Sequence, residues 1–589
     1  MQSSDHAIAM PLANGIIAIT ADKCLGGDYL PLLAISSYIL PGPDSTSYIP
    51  PCPSVTDLHR LEPLSRVYKV SLVLSSNHLL SAKLNMTTPA PPLDLNNIQG
   101  DILGGLPKRT ETYFFFDVTN VDQFKANMAH FIPHIKTSAG IIKDREAIKE
   151  HKRQKKPGLV PMAAVNVSFS HLGLQKLGIT DDLSDNAFTT GQRKDAEILG
   201  DPGSKNGDAF TPAWEAPFLK DIHGVIFVAG DCHGSVNKKL DEIKHIFGVG
   251  TSHASISEVT HVRGDVRPGD VHAHEHFGFL DGISNPAVEQ FDQNPLPGQD
   301  PIRPGFILAK ENGDSRAAAR PDWAKDGSFL TFRYLFQMVP EFDDFLESNP
   351  IVLPGLSRKE GSELLGARIV GRWKSGAPIE ITPLKDDPKL AADAQRNNKF
   401  DFGDSLVRGD QTKCPFAAHI RKTYPRNDLE GPPLKADIDN RRIIRRGIQF
   451  GPEVTSQEHH DKKTHHGRGL LFVCYSSSID DGFHFIQESW ANAPNFPVNA
   501  VTSAGPIPPL DGVVPGFDAI IGQKVGGGIR QISGTNPNDP TTNITLPDQD
   551  FVVPRGGEYF FSPSITALKT KFAIGVASPA PHSQAPISA

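Results

Sequence analysis

From residue 97 onward the chain alternates between two hydrophobic rhythms. Residues 112–118 hold Tyr113, Phe114, Phe115 and Phe116 in succession and predict a strand. In residues 121–132 apolar positions recur at helical spacing and predict a helix. The reading continues with a strand at 162–169, a short helix at 171–177 with Ser170 as its N-cap, a strand at 224–229, an amphipathic helix at 235–247 and a strand at 256–262. That order is a ferredoxin-like unit. After a Pro/Gly/Asp-rich connection at 294–305 the same rhythm returns. It predicts a strand at 329–339, a helix beginning at 342–347, a strand approach at 441–448, a strongly apolar strand at 469–475, a helix at 483–491 and a late strand at 557–561. The fold class expected is α+β, with two tandem ferredoxin-like domains built on antiparallel sheets. Residues 353–440 and 491–549 read as long loop-rich stretches, which in a compact domain are usually functional.

The first 85 residues differ. Their apolar patches are short and broken by prolines, with weak periodicity and no basic segment ahead of them, so they make a poor secretory signal. They are expected to be an N-terminal extension: a processed leader or an upstream start ahead of Met86 on one reading, an ordinary variable extension on the other. The domain plan is then 1–85 extension, 86–96 flexible arm, 97–293 N-terminal domain, 294–577 C-terminal domain, and a disordered Pro/Ser/Ala tail at 578–589.

Composition narrows the function. The 589 residues include 52 glycines and 50 prolines, which favours many turns over a helical bundle. Lys plus Arg is 59 against 67 for Asp plus Glu, a formal net charge of −8, which argues against a nucleic-acid partner. Five cysteines without CxxC spacing exclude a disulfide scaffold and the usual structural zinc sites. No run of 18 apolar residues predicts a membrane helix. Asn85, Asn166 and Asn543 each begin an Asn-x-Ser/Thr tripeptide, a pattern that also arises often by chance.

Three segments carry candidate chemistry. VHAHEHFGFLDGISNP places Asp281 among glycines and apolar residues, suited to an acid–base carboxylate or, more plainly, to a capping aspartate. CPFAAHIRKTYPR places His419 after small residues that leave room for a planar ligand; a satisfied core histidine is the bland reading. RRIIRRGIQFGPE surrounds two isoleucines with four arginines, one of which could point inward to hold negative charge. His272, His274 and His276 alternate and in a strand would share one face. With His459, His460, His465 and His466 they suggest a metal-dependent hydrolase as a competing reading. KVGGGIR at 524–530 lacks the phosphate-loop pattern.

Taken in chain order, these segments resemble the dye-decolorizing peroxidase family in its fungal branch. The matches are GFLDG with Asp281, CPFAAHIRKTYPR with His419 and IIRRGIQFGPE with Arg445. NIQGDILGG, GSFLTFRYLFQMVPEF, GRWKSGAP, LLFVCY and FVVPRGGEYFF complete the set, from about residue 97 to 567. The resemblance implies one haem b held between sheet and helices, with His419 as proximal iron ligand. Asp281 is implied as the distal acid–base residue and Arg445 as its arginine, with Arg446 as the fallback. Leu470 and Phe472 match the apolar distal wall, and Asp518 in PGFDAIIGQ is the choice for the partner of His419. The implied partners are hydrogen peroxide and bulky phenolic, lignin-like or dye reductants, with Mn²⁺ as a further possible donor and a monomer or dimer as the assembly. Trp490 and Tyr334 are candidate surface electron relays, while Phe450 stands where many members carry a tyrosine. A haem carrier or sensor on the same fold is the alternative to turnover. Fungal members of the family are often extracellular, and joined to the three Asn-x-Ser/Thr tripeptides this sets the expectation of an extracellular location over a cytoplasmic one.

Overall fold

The computed structural model describes residues 91–402, 410–429, 438–497, 514–523, 530–539 and 541–573, and the backbone of a few short strands elsewhere. It divides into two units, 1–87 and 88–589. In the first, Ala7–Leu12, Gly15–Thr20 and Ile35–Tyr38 pair as an antiparallel meander, strands that the weak periodicity of this region did not predict.

The second unit is built on nine strands: β1 (Thr110–Val118), β2 (Ala163–Phe169), β3 (Gly224–Gly230), β4 (Ile256–Asp265), β5 (Ser328–Gln337), β6 (Ile444–Arg445), β7 (Ile448–Phe450), β8 (Gly469–Ser476) and β9 (Val552–Ser562). Its helices include α1 (Gly100–Leu103), α2 (Val121–Phe131), α3 (Ser138–Arg153), α4 (His171–Lys176), α5 (His233–Ile246), α6 (Val339–Ser348), α7 (Arg358–Val370) and α8 (His419–Thr423). The spatial order is β6–β8–β5–β9–β2–β3–β1–β4, with β7 also on β8. Each half therefore repeats the ferredoxin-like order of second, third, first and fourth strand. The halves are not separate sheets. A pairing of Phe561 in β9 with Phe169 in β2 joins them. At the far edges a Cβ on Gly264 of β4 would meet Gln449 O of β7 at 2.7 Å, so the sheet curls until its ends touch.

Alternating residues fill the two sides of this barrel. Tyr113, Phe115, Phe227, Phe332, Val473 and Tyr475 point inward, while Phe114 and Phe116 turn outward under α2 and α5. Asn120 caps α2, and Ser170 Oγ accepts Gly173 N at 3.0 Å to cap α4 as expected. Helix α1 plugs one barrel end. Arg446 donates from Nε to Asp101 O at 2.9 Å, and Tyr475 OH donates to Asp101 Oδ2 at 3.0 Å.

Several expectations change. Residues 91–96 are docked rather than loose, for Leu95 O accepts Ala139 N and Leu93 N donates to Gln290 Oε1. The stretch 353–440 contains α7, a 13-residue helix opened by a Ser357/Glu360 capping box and closed by Gly371 at φ +94°. The helix expected at 483–491 is a pair of wide turns, Asp480–His484 and Ile486–Ala491, interrupted at Gly482. Asn166 is fully buried in β2, where its side-chain amide bonds Lys136 O and Val165 O, so it is no glycosylation site in the folded chain; Asn543 is exposed. The Gly-rich 524–529 and the tail 578–589 lie outside the described residues. Among the described residues no helix is long and apolar enough to cross a membrane.

Candidate active site

A cavity of about 270 Å³ opens on the outer face of the C-terminal half of the sheet, under α7 and α8. Strand pleat decides which side chains reach it. Leu470 and Phe472 of β8 and Arg333 and Leu335 of β5 face it, while Leu471, Val473 and Phe332 face the barrel interior. Cross-strand pairing sets Phe472 against Arg333 and Leu470 against Leu335.

Arg445 enters from β6, opposite Cys474 in register. Its Nη1 donates to Asp281 Oδ1 at 2.7 Å. About a third of each side chain, 31% of Arg445 and 34% of Asp281, stays open. Arg446 points the other way, onto α1, which removes it as the alternative. Asp281 sits on a loop between two left-handed glycines, Gly278 at φ +95° and Gly282 at φ +80°, a conformation that side chains resist. Burial works to raise the Asp281 carboxyl, but the adjacent Arg445 guanidinium and the N–H of Gly282 outweigh it, and the group sits below its ordinary range. Asn285, four residues on, accepts Arg445 N at 3.0 Å and donates to Arg445 O at 3.3 Å, so the loop and the strand are tied through backbone. Asn285 was not singled out from the sequence, because its targets are main-chain groups.

His419 begins α8 and also lines the cavity. Its Nδ1 donates to Asp518 Oδ2 at 2.8 Å, and Asp518, fully buried, accepts Ile520 N and Ile521 N on its other oxygen. Burial lowers the affinity of the ring for a proton, yet the Asp518 carboxylate more than restores it, so His419 sits above its ordinary value. With the proton fixed on Nδ1, Nε2 is the nitrogen left for a metal. The small residues ahead of it, Ala417 and Ala418, are buried.

The donor set fits a haem. One imidazole is oriented by a carboxylate and would hold the haem iron. The flanking walls of Val370, Ile420, Leu470, Phe472, Ile520 and Val552 suit a flat apolar macrocycle. Arg442, also on the cavity wall, lies 3.7 Å from Asp300, yet among the described residues its buried Nη1 makes no hydrogen bond, and it is a cation that would suit acidic ring substituents.

The remaining sequence candidates distribute differently. Trp490 lines the cavity but is only 4% exposed, stacked on Phe496 at 5.0 Å, so it is no surface residue. The apolar surroundings built by Phe485 and Phe496 drew it inward. Tyr334 lies on the sheet face away from the cavity, packed on Phe450 at 4.8 Å and Phe336 at 4.9 Å, and burial pushes its hydroxyl up to about 12. The three alternating histidines are not in a strand. His276 is buried and kept neutral, its value pushed down to about 4 by burial and Arg267, and its Nε2 donates to Phe450 O at 2.8 Å. His459 and His460 sit on the short helix Ser456–Asp461, and among the described residues no three His, Cys, Asp or Glu side chains converge to hold a metal ion.

Two family models cover most of the barrel: the DyP dimeric alpha+beta barrel domain at residues 97–268 and the Dyp-type peroxidase C-terminal domain at 272–498. The chain belongs to the dye-decolorizing peroxidase family. It is 43% identical over 499 residues to a dye-decolorizing peroxidase of Mycena epipterygia, covering 81% of this chain and 86% of that one. The corresponding protein of Auricularia auricula-judae is 40% identical over 81% of this chain and 87% of its own. Among solved structures, an ancestral D-type dye-decolorizing peroxidase matches with 60% identity and TM-score 0.76, covering 82% of this chain and all of that one. A dye-decolorizing peroxidase in complex with 2,6-dimethoxyphenol matches with 43% identity and TM-score 0.71 over the same share. Dye-decolorizing peroxidases are haem enzymes, and this one is an oxidoreductase acting on peroxide.

Proposed function

We propose that the chain reduces hydrogen peroxide to water at one haem b held through His419 and oxidises phenolic and dye-like aromatic compounds one electron at a time. The observation that carries this reading is the convergence on one cavity of Asp281, Arg445 and His419, the first two paired with each other and the third backed by the buried Asp518. A carrier needs only the pair of His419 and Asp518.

Haem, when bound, supplies the iron that accepts the oxidising equivalents of peroxide and passes them on singly. The chain's own residues handle protons and charge. Asp281, ionised beside Arg445, would take a proton from one oxygen of peroxide and return it to the other, so that the second oxygen leaves as water. Arg445 stabilises the negative charge that develops as the oxygen–oxygen bond lengthens. Asp518 keeps the His419 ring in one tautomer and orientation. Leu470 and Phe472 leave the distal side apolar, which strengthens both electrostatic effects. Trp490, buried against the cavity and packed on Phe496, is an oxidisable aromatic group on the inner part of an electron route from reductants too large to enter. An extracellular location belongs to the same proposal, supported by the exposed Asn543 tripeptide.

The test is an absorption spectrum of the haem-loaded protein before and after one equivalent of hydrogen peroxide, with Asp281→Asn alongside. A prompt change in the Soret region, slowed by orders of magnitude in the variant, is expected. A Soret band that ignores peroxide would favour the carrier reading.

A further inference from the structure

Glu275 belongs to neither pair, yet it lines the same cavity six residues before Asp281. Its carboxylate turns back on its own loop. Oε2 accepts Phe277 N at 2.8 Å and Oε1 accepts Phe279 N at 2.7 Å. The backbone closes the same ring: Glu275 N donates to Phe279 O at 3.0 Å, and Gly278 N donates to Glu275 O at 2.9 Å. Gly278, at φ +95°, makes the turn possible. Phe277 and Phe279 are thereby driven into the core against Phe342, and Asp281 follows two residues later.

This ring is anchored outside itself. Gln337 at the end of β5 donates from Nε2 to Glu275 Oε2, and Arg267 donates to Glu275 O. His276 ties the loop to Phe450 O in β7, five residues beyond Arg445. The loop carrying Asp281 is thus fixed to the central strand and to the segment that carries its arginine.

We propose that Glu275 is a positioning residue for the peroxide reaction: its carboxylate templates the 275–281 turn, and Gln337 fixes that template to the sheet, so that Asp281 meets Arg445 in one geometry. This rests on the reading of Asp281 and Arg445 given above. The physical reason is that a short loop with two left-handed glycines has many alternatives, and an acceptor reaching two of its N–H groups removes them. A side-chain amide in place of the carboxylate offers one acceptor oxygen instead of two, and turns an N–H₂ toward the remaining donors.

The experiment compares wild type, Glu275→Gln and Asp281→Asn as haem-loaded enzymes by stopped flow, separating the second-order rate with peroxide from the rate with a small phenol. A crystal structure of Glu275→Gln reads the Asp281–Arg445 contact directly. Glu275→Gln is expected to lower the peroxide rate by about tenfold to 100-fold, the scale of a misplacement of about 1 Å. Its acid limb should move toward that of an ordinary carboxylate, the phenol rate should be unchanged, and the Asp281–Arg445 contact should be lost. Should Glu275→Gln prove unstable, Gln337→Leu leaves the Glu275 carboxylate in place, removes the two bonds that Gln337 makes to the loop, at Glu275 Oε2 and His276 N, and should reproduce the same split in milder form. An unchanged peroxide rate in Glu275→Gln, with Asp281→Asn impaired, overturns the positioning role alone. Equal loss of both rates also overturns it, since that is general damage. An unimpaired Asp281→Asn overturns the reading beneath it.

Discussion

Replacing Arg445 with leucine separates the two tasks that the proposed mechanism gives its guanidinium. The first is charge stabilisation during bond cleavage, present at every pH. Losing one such donor costs about 10²- to 10³-fold, or about 2.7–4 kcal/mol of barrier. The second is its hold on Asp281, 2.7 Å away, whose carboxyl it keeps below the ordinary range. A base must be deprotonated to act, so the wild-type peroxide rate should persist down to pH values below those of a free carboxylate. In Arg445→Leu the lowering influence is gone while burial, which raises the carboxyl, remains. The acid limb should therefore move upward, and the deficit should widen as pH falls from neutral. Stability follows the same sign. A carboxyl lowered in the folded state stabilises above its unfolded value, and that contribution is lost as pH falls through the folded one. With about a third of each side chain open, the pair lies between an exposed pair at about 0–1 kcal/mol and a broken buried pair at about 3–5 kcal/mol. The cost near neutrality should be about 2 kcal/mol, shrinking toward acid pH. The assay is the second-order rate of the Soret change against peroxide across the acid and neutral range. A deficit of the same size at every pH would refute the argument that Arg445 sets the ionisation of Asp281.

Asp518→Ala leaves His419 Nδ1 and two backbone N–H groups facing a buried site without an acceptor, so haem should pass to excess apomyoglobin about ten- to 100-fold faster than from wild type. Arg446→Ala strips donors from the carbonyls of Asp101 and Leu103 at the barrel plug; it should lower thermal stability by about 1–3 kcal/mol while leaving the peroxide rate per haem unchanged. Trp490→Ser should slow oxidation of a bulky dye more than that of a small phenol, and equal loss on both would count against an electron route through this residue.

How much of this was legible beforehand depends on where each signal is written. Strands β1 and β3 are buried on both faces, and β8 turns its second face to an apolar cavity, so their aromatic and branched runs are unbroken and were visible. Helix α7 was missed for a related reason: Leu364, Leu365, Ala367, Arg368 and Ile369 are all buried, leaving no polar stripe to reveal the helical period. Its marks were its ends, the Ser357-x-x-Glu360 box and Gly371. The junction of the two halves is one pairing, Phe561 with Phe169, and neither phenylalanine differs locally from those that do not join sheets.

The site divides along the same line. Asp281 and Arg445 meet from positions 164 residues apart, and His419 and Asp518 from positions 99 apart. All four had been named beforehand from the family motifs around them, and the structure brings each pair within hydrogen-bond distance. Glu275 and Asn285 lie inside the very motif that drew attention to Asp281 and passed unnoticed. Their partners are the N–H groups of Phe277 and Phe279 and both backbone polar groups of Arg445, and every residue except proline offers such partners. A motif therefore announces the groups that do chemistry. The groups that aim them become visible only when the backbone has a shape, which is why Asp281 and Arg445 could be proposed from the family motifs and their scaffolding could not.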